Sequence, residues 1–498
     1  MPIQLSSPAD IQDKIVTVMG LGRFKQGSGV GAAKWLLKHG AQILVTDLKS
    51  KKELASSVDL LMDWYTKLRR EFPDRNIYAP VFILGEHRKE DFENVELVVK
   101  NPDVPKTSEF LKFAEAAGVR IESDVSMFYR FYPSPIYAVT GTRGKSTTTH
   151  LLGEMLRTKD PRTVIGGNVM HSPLEDLDTI VGAPALVALE LSSWLLESLA
   201  GMDRGSEIAV MTNISKDHLD RYTSYEEYIE AKNVIFKNQS ATQKAIANYD
   251  DPIVRRLGEN AVGATFWFSL SPLPDDLDGA YMDAQGNPVI RISGENHILC
   301  HQNEWPALQG EHNAQNGLAA SLAASLAGVS DAAICETLRM FKGLEGRQET
   351  VREVNGVTYV NDTTATSPEG VIAALKRFGG SGAGSGQRAA GSSGKRIVLI
   401  TGGKAKGFDF AEMAEWIKKT CKHVVYLHGQ HTNQIEALVG GAVPDSHADT
   451  MPGAVKAAAA AASEGDIVLL SPGGSSFDLF KNEFDRGGQF VEEVKNLK

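Results

Sequence analysis

Short apolar runs alternate with amphipathic or alanine-rich stretches along the whole chain, a pattern that predicts α/β layers built on mainly parallel sheets. Residues 15–19 (IVTVM) read as a strand, Gly20, Leu21 and Gly22 as the turn behind it, AAKWLLKHG as a helix, and residues 41–46 as a second strand closing on Asp47. In such a βαβ unit the glycine turn offers backbone amides to a phosphate, and the acid at the next strand's end can accept from a ribose or a base. After Gly22 the chain runs RFKQGSGVG, which departs from the G-x-G-x-x-G spacing of dinucleotide-binding units. Two readings stay open on these residues: a tight turn in a doubly wound sheet, or a nicotinamide-binding Rossmann protein.

Further along, PIYAVT, residues 186–189 (LVAL) and IAVMTN read as buried strands, while YEEYIEAKNVIF and NGLAASLAASLAG read as helices. Between the helical VIAALKRF and the strand RIVLITGG lie residues 379–394, where eleven of sixteen are Gly or Ser. That composition cannot bury enough surface to order itself and predicts a flexible insertion. At roughly 150 residues per domain, the 498 residues predict about three domains, with boundaries at 1–123, 124–344 and 345–498.

Composition narrows the function classes. Hydrophobic residues make up 42% and charged residues 23%, which are globular values. The net charge is 52 − 62 = −10 with no block dense in Lys or Arg, which argues against a nucleic-acid partner. Neither a basic segment followed by an apolar core nor a run of about 18 apolar residues occurs, so a soluble, cytoplasmic chain with no membrane partner is expected. Cys300, Cys335 and Cys421 are too few and too scattered for a disulfide framework or a thiolate cage, and read as small buried hydrophobes.

The strongest local signal is GTRGKS at residues 141–146, between a strand and a helix rich in Thr and Leu. Gly141 and Gly144 let the backbone wrap a phosphate, the helix start adds partial positive charge, Lys145 reaches terminal phosphate oxygens, and Ser146 can ligate magnesium. The long form G-x-x-x-x-G-K-[ST] fails because its first glycine falls on Val139, while the shorter GTxGK[ST] is intact. A triphosphate site also needs a carboxylate near neighbouring strand ends. Glu190 ends one such strand, as a magnesium ligand or as a solvated terminus, and Asp217, His218 and Asp220 follow another.

Read together, GTRGKSTTT, ELSSWLLE, TNISKDHLDRY, EAKNVIF, GEHNAQNGLAA, NDTTATSPEG, GGKAKGFDF and LLSPGGSSFDLFKNEFDRGGQF stand in the order found in the Mur ligases. The chain resembles that family over essentially its whole length. The resemblance implies three α/β domains: a Rossmann-like N-terminal domain for a UDP sugar, a central P-loop ATPase with a mostly parallel sheet, and a Rossmann-like C-terminal domain for the amino acid. It implies ATP with two magnesium ions, UDP-N-acetylmuramoyl-L-alanine and D-glutamate as substrates, and a monomer. Residue by residue, Lys145 and Ser146 hold phosphates and the first magnesium, with Gly141, Thr142, Gly144 and Thr147 completing the loop. Glu190 is a shared magnesium ligand and His218 a ligand of the second. Lys232 matches the lysine that this family carbamylates, and Lys145, Glu190, His218 and Lys232 form the catalytic set. Asn168, Ser192 and Asp217 fall near the phosphates and substrate, whereas Asn313, Asn316, Arg347 and Asp362 match residues holding adenine, phosphates and ribose. Thr366, Lys406 and Ser476 match amino-acid-binding positions, and Asp47 and Lys49 are the best matches for the uracil site.

Departures fall in the sugar and amino-acid sites. Thr364 stands in NDTTAT where a lysine is usual, Lys404 stands two residues before Lys406, and Glu483 with Phe484 displaces the aromatic residue after FKN. The same ligase chemistry with L-glutamate or another amino acid is the near alternative. Folylpolyglutamate synthase shares the GTxGKS site, and the closing SPGGSSFD block argues against it.

Overall fold

The computed structural model describes residues 3–23, 27–168, 171–216, 221–379, 395–404, 408–476 and 479–497. All but the first residue of the expected insertion 379–394, together with Asp217, His218, Asp220 and Lys406, lie outside the described residues.

Three sheets form. The first contains β1 (Ile15–Met19), β2 (Gln42–Asp47), β3 (Val81–Leu84), β4 (Leu97–Lys100) and β5 (Arg120–Glu122), in the order β3-β2-β1-β4-β5, every pairing parallel. The second contains β6 (Ile136–Thr140), β7 (Val164–Gly167), β8 (Val187–Glu190), β9 (Ile208–Met211), β10 (Lys244–Asn248), β11 (Ala264–Ser269), β12 (Gly279–Met282), β13 (Pro288–Ile292) and β14 (Glu295–Ile298). Its order is β14-β13-β12-β11-β10-β9-β6-β8-β7, parallel from β7 to β12 and antiparallel through β13 and β14. The third contains β15 (Glu349–Val354), β16 (Val357–Asn361), β17 (Ile397–Thr401), β18 (Cys421–Leu427), β19 (Asp445–Ala448) and β20 (Ile467–Leu470) in the order β15-β16-β20-β17-β18-β19, parallel except for the β15–β16 hairpin.

The central strands are mostly apolar because helices cover both faces of a parallel sheet. Every residue of β6, β8 and β9 is buried. In β17 the pleat sorts side chains two by two. Ile397 and Leu399 join the core beneath helices Pro368–Gly379, Ala411–Thr420 and Thr432–Val439, while Val398 and Ile400 join the core beneath Met451–Ala461 and Glu483–Asn496.

By contact density the chain forms two compact units, Met1–His301 with Gln315–Leu338, and Gln302–Ala314 with Arg339–Lys498. Within the first unit the five- and nine-stranded sheets share one apolar core. Helix Ser28–Lys38 lies against helix Leu174–Ile180, so closely that a Cβ on Gly31 would stand 2.4 Å from Ser172 Cβ. Across that contact Asp178 accepts from Trp35 Nε1 at 3.2 Å and meets His39 Nε2 at 2.9 Å and Lys38 Nζ at 2.5 Å. Cys300, Cys335 and Cys421 are buried and, among the described residues, form no disulfide, and burial pushes the Cys421 thiol up to about 12. Among the described residues no helix is long and apolar enough to cross a membrane.

Candidate active site

In the first unit, parallel pairing brings the carboxyl ends of β7, β8, β6 and β9 to one edge of the sheet, with Gly167 and Val139 in register with Glu190. The loop after β6 is shaped by glycine. Gly141 takes φ +147° and Gly144 takes φ +82°, and a Cβ there would stand 1.9 Å from Thr212 Oγ1 and 2.2 Å from Asn316 Oδ1 respectively. Only glycine fits such an approach. Gly144 caps helix Lys145–Arg157, whose buried Ser146 sits in the first turn. The helix begins with its N–H groups facing the loop, which is the arrangement that binds anions.

The loop is tied down from the end of β9. Thr142 N–H donates to Asn213 O at 2.8 Å, Arg143 N–H donates to Asn213 Oδ1 at 2.9 Å, and Thr212 Oγ1 donates to Arg143 O at 2.6 Å. Thr142 Oγ1 accepts from Ser215 N–H and meets the Tyr228 hydroxyl at 3.0 Å. Lys145 Nζ donates to Thr142 O at 3.0 Å. Thr212, Asn213 and Tyr228 were not legible as site residues, because a polar residue at a strand end or on a helix carries no signal until the loop it fastens is in place. Thr147 is half-buried on the same helix, and Asn316 Oδ1 accepts from Thr148 Oγ1 at 3.3 Å.

Two buried ionisable groups flank this loop. Glu190 is 1% exposed; its Oε1 accepts from Asn168 Nδ2 at 3.4 Å, and its Oε2 has no hydrogen-bond partner among the described residues. A buried carboxylate oxygen left open is costly unless a cation completes it, so Glu190 fits a magnesium ligand. Lys232, on helix Tyr225–Lys237, is 2% exposed and donates from Nζ to Gly141 O at 2.8 Å, with the amine 4.9 Å from the Tyr228 ring centre. A helix lysine is ordinarily solvated; this one points inward at the glycine-shaped loop. Ser192 uses its hydroxyl to cap helix Ser193–Glu197.

At the first sheet, Asp47 is buried at the end of β2, where Oδ2 accepts from Gly22 N–H at 3.2 Å and Oδ1 from Lys49 N–H at 2.9 Å. The glycine turn and the acid are thus brought together as the βαβ pattern requires, with Lys49 Nζ 3.8 Å from Oδ1.

The second unit gathers another set at the carboxyl ends of β16, β17 and β20. Asp362 is buried, with Oδ1 accepting from Gln348 N–H at 3.1 Å and Oδ2 from Ser471 Oγ at 2.8 Å. Burial pushes its carboxyl up to about 7, against the hydrogen bonds and the Arg347 and Arg377 guanidiniums that hold it down. A cavity of about 580 Å³ in this unit is lined by Gly310, His312, Ile372, Ala373, Arg377 and Glu412 among others. Burial, then the Arg377 charge, hold His312 down to about 4, so it is neutral near pH 7. Asn313, next to His312, donates from Nδ2 to Gln309 O at 3.2 Å.

Thr364 Oγ1 donates to Gly346 O at 2.9 Å, and Thr363 Oγ1 to Glu483 O at 2.8 Å. Thr366 is half-buried in the same turn, and the buried Ser476 hydroxyl has no partner among the described residues. Lys404 is exposed and its N–H donates to Ser475 O. Buried Arg486 fastens this region, donating to Thr363 O at 2.7 Å and Gly474 O at 3.1 Å.

The chain belongs to the Mur ligase family. The family's "Mur ligase middle domain" matches residues 139–324, and "Mur ligase, glutamate ligase domain" matches 346–474. A relative from Roseiflexus sp. (strain RS-1), named UDP-N-acetylmuramoylalanine--D-glutamate ligase, is 40% identical over 97% of this chain and 99% of its own length. A relative of the same name from Trichlorobacter lovleyi is 33% identical over 98% of this chain and 100% of its own. Among solved structures the fold is similar to UDP-N-acetylmuramate-alanine ligase from Thermotoga maritima (TM-score 0.56, 19% identity, 97% of this chain and 100% of that one). It is also similar to a MurF ligase from Thermotoga maritima in complex with ADP (TM-score 0.54, 15% identity, 98% and 97%).

Proposed function

We propose that the chain is an ATP-dependent ligase that joins D-glutamate to UDP-N-acetylmuramoyl-L-alanine through an amide bond, a step of peptidoglycan precursor synthesis. The observation that carries this reading is the glycine-shaped loop at 141–146 with buried Lys232 and Glu190 beside it, in a chain 40% identical end to end to a ligase of that name. A carboxylate is a poor acyl donor. ATP therefore phosphorylates the alanyl carboxylate, and the amine of glutamate attacks the acyl phosphate, expelling phosphate through a tetrahedral intermediate. No nucleophilic side chain is needed, so the residues bind, orient and balance charge.

In this reading the amides of 141–146 and Lys145 hold the phosphates, and Asp362 accepts from the ribose. Ser146 and Glu190 would hold one magnesium, and Glu190 would be shared with a second held by His218 and Lys232, the latter as a carbamate that adds a carboxylate. When bound, magnesium neutralises the repulsion between the γ-phosphate and the incoming carboxylate. Thr366, Lys406 and Ser476 take the glutamate, and Asp47 with Lys49 the uracil ring. The division of labour follows the boundaries 1–123, 124–344 and 345–498, in a monomer.

The test is phosphate release from ATP. It should require both the UDP-sugar alanine and D-glutamate, with L-glutamate inactive; release without either substrate, or equal rates with L-glutamate, overturns the reading. Replacing Lys145 with Ala should lower turnover by at least about a hundredfold, since a cation at the transferring phosphoryl group is worth several kcal/mol.

A further inference from the structure

Arg377 lies on helix Pro368–Gly379, four residues beyond Ala373 and five beyond Ile372, and shares with them the wall of the 580 Å³ cavity. Its Nη1 donates to Gln348 Oε1 at 3.0 Å. Gln348 is unusual, because its φ is +48°, a left-handed conformation that costs a non-glycine residue free energy unless its surroundings hold it there. In this conformation the Gln348 N–H donates to Asp362 Oδ1, 3.1 Å away. The guanidinium and the carboxylate also feel each other's charge, and Ser471 holds the other oxygen. A chain of three residues therefore runs from the cavity wall to the buried carboxylate: Arg377 side chain, Gln348 side chain and backbone, Asp362.

We propose that Arg377 is a positioning residue for the nucleoside of ATP: by clamping Gln348 in its left-handed conformation it fixes the Asp362 carboxylate for a ribose hydroxyl. The proposal rests on the reading of Asp362 as a ribose acceptor. Asp362 has two oxygens, and among the described residues each accepts one hydrogen bond. The remaining lone pairs can serve a hydroxyl only when the carboxylate keeps one orientation. Without the clamp, relaxation of Gln348 toward an ordinary φ withdraws one of the two donors, and the carboxylate gains freedom to turn. Nothing in this scheme touches the transferring phosphoryl group, so the effect belongs to nucleotide binding rather than to the chemical step.

The experiment measures KM and kcat of the full-length enzyme for ATP, 2′-deoxyATP and 3′-deoxyATP, in wild type, D362N, R377M and Q348A. R377M is expected to raise KM for ATP about tenfold with kcat within about twofold, the size of one lost hydrogen bond to a charged group. The decisive readout is the ratio of KM for the deoxy analogue to KM for ATP. It should fall toward one in D362N, and in R377M and Q348A alike, because all three loosen the same acceptor. A ratio in R377M and Q348A equal to the wild type's overturns the proposal even where KM has risen, since general loosening penalises all three nucleotides equally. If D362N itself leaves the ratio unchanged, the ribose reading of Asp362 fails and the positioning role falls with it. If D362N shifts the ratio and the other two variants do not, only the positioning role fails. Q348A keeps the Arg377 charge and the cavity wall, so it separates loss of the clamp from misfolding caused by an altered Arg377.

Discussion

At the scale of single residues, the site is defined by groups that would be unfavourable anywhere else. Glu190 keeps an open oxygen in a buried environment, and Lys232 buries an amine against a carbonyl of the loop. Replacing Glu190 with Gln keeps its volume and removes its charge. The variant should need roughly tenfold more magnesium for half-maximal phosphate release, which a magnesium titration at saturating ATP measures; an unchanged requirement removes Glu190 from the metal site. Gly141→Ala meets Thr212 Oγ1 at 1.9 Å in a backbone region closed to alanine, and should lose ATP binding by titration calorimetry while the rest of the fold survives. Gly141, Lys145 and Glu190 were legible in the sequence, since a loop between a strand and a helix has a fixed spacing and a strand-end acid is visible as such. Lys232 was legible only through family resemblance, because its burial depends on where one helix packs. Gln348 and Arg377 were not legible at all: a positive φ on glutamine leaves no trace in composition or periodicity.

At the scale of elements, parallel strands announce themselves and antiparallel edges do not. The runs of β6, β8 and β9 are buried throughout and apolar except for Thr140 and Glu190 at strand ends, because both of their faces are covered. β14 is exposed along its whole length and has no apolar alternation, so nothing in its sequence marks it as a strand; it is held by backbone pairing and by the turn at Ser293 and Gly294, both at positive φ. The contact between helices Ser28–Lys38 and Leu174–Ile180 is likewise invisible in sequence, since its partners are some 140 positions apart. Burial raises the Asp178 carboxyl there, but hydrogen bonds from His39 and Lys38 outweigh it and hold it down at about 2. Its folded value lies below the ordinary 3.8, so Asp178 stabilises the fold above about pH 4 and that contribution is lost as pH falls toward 2. Asp178→Asn should therefore destabilise the protein at pH 7 by about 1–2 kcal/mol, discounted for partial solvent access, and the gap to wild type should close as pH falls through about 2. Urea denaturation at several pH values measures it.

At the scale of the whole molecule, an excess of ten negative charges belongs to a chain whose proposed substrates are all anions. Attraction has to be local, supplied by a helix start, lysines and bound cations rather than by overall field. Among the described residues three sheets are present, and they are gathered into two compact units. The alternation of strands and helices was legible because each βα run repeats its pattern; the gathering into units was not, because it depends on which helices pack across sheets. The two units are also interleaved along the chain. Residues 302–314 belong to one, 315–338 return to the other, and helix Glu311–Leu326 carries residues of both. For an emerging polypeptide this imposes an order of events. The first unit cannot be completed until Leu338 has left the ribosome, and by then the segment with Trp305, fully buried in the finished protein, has been synthesised well ahead of the rest of its unit. Truncation after Leu338 should therefore yield a fragment with a solvent-exposed Trp305, readable as red-shifted tryptophan emission against a Trp305→Phe control, and more prone to aggregate than the intact chain.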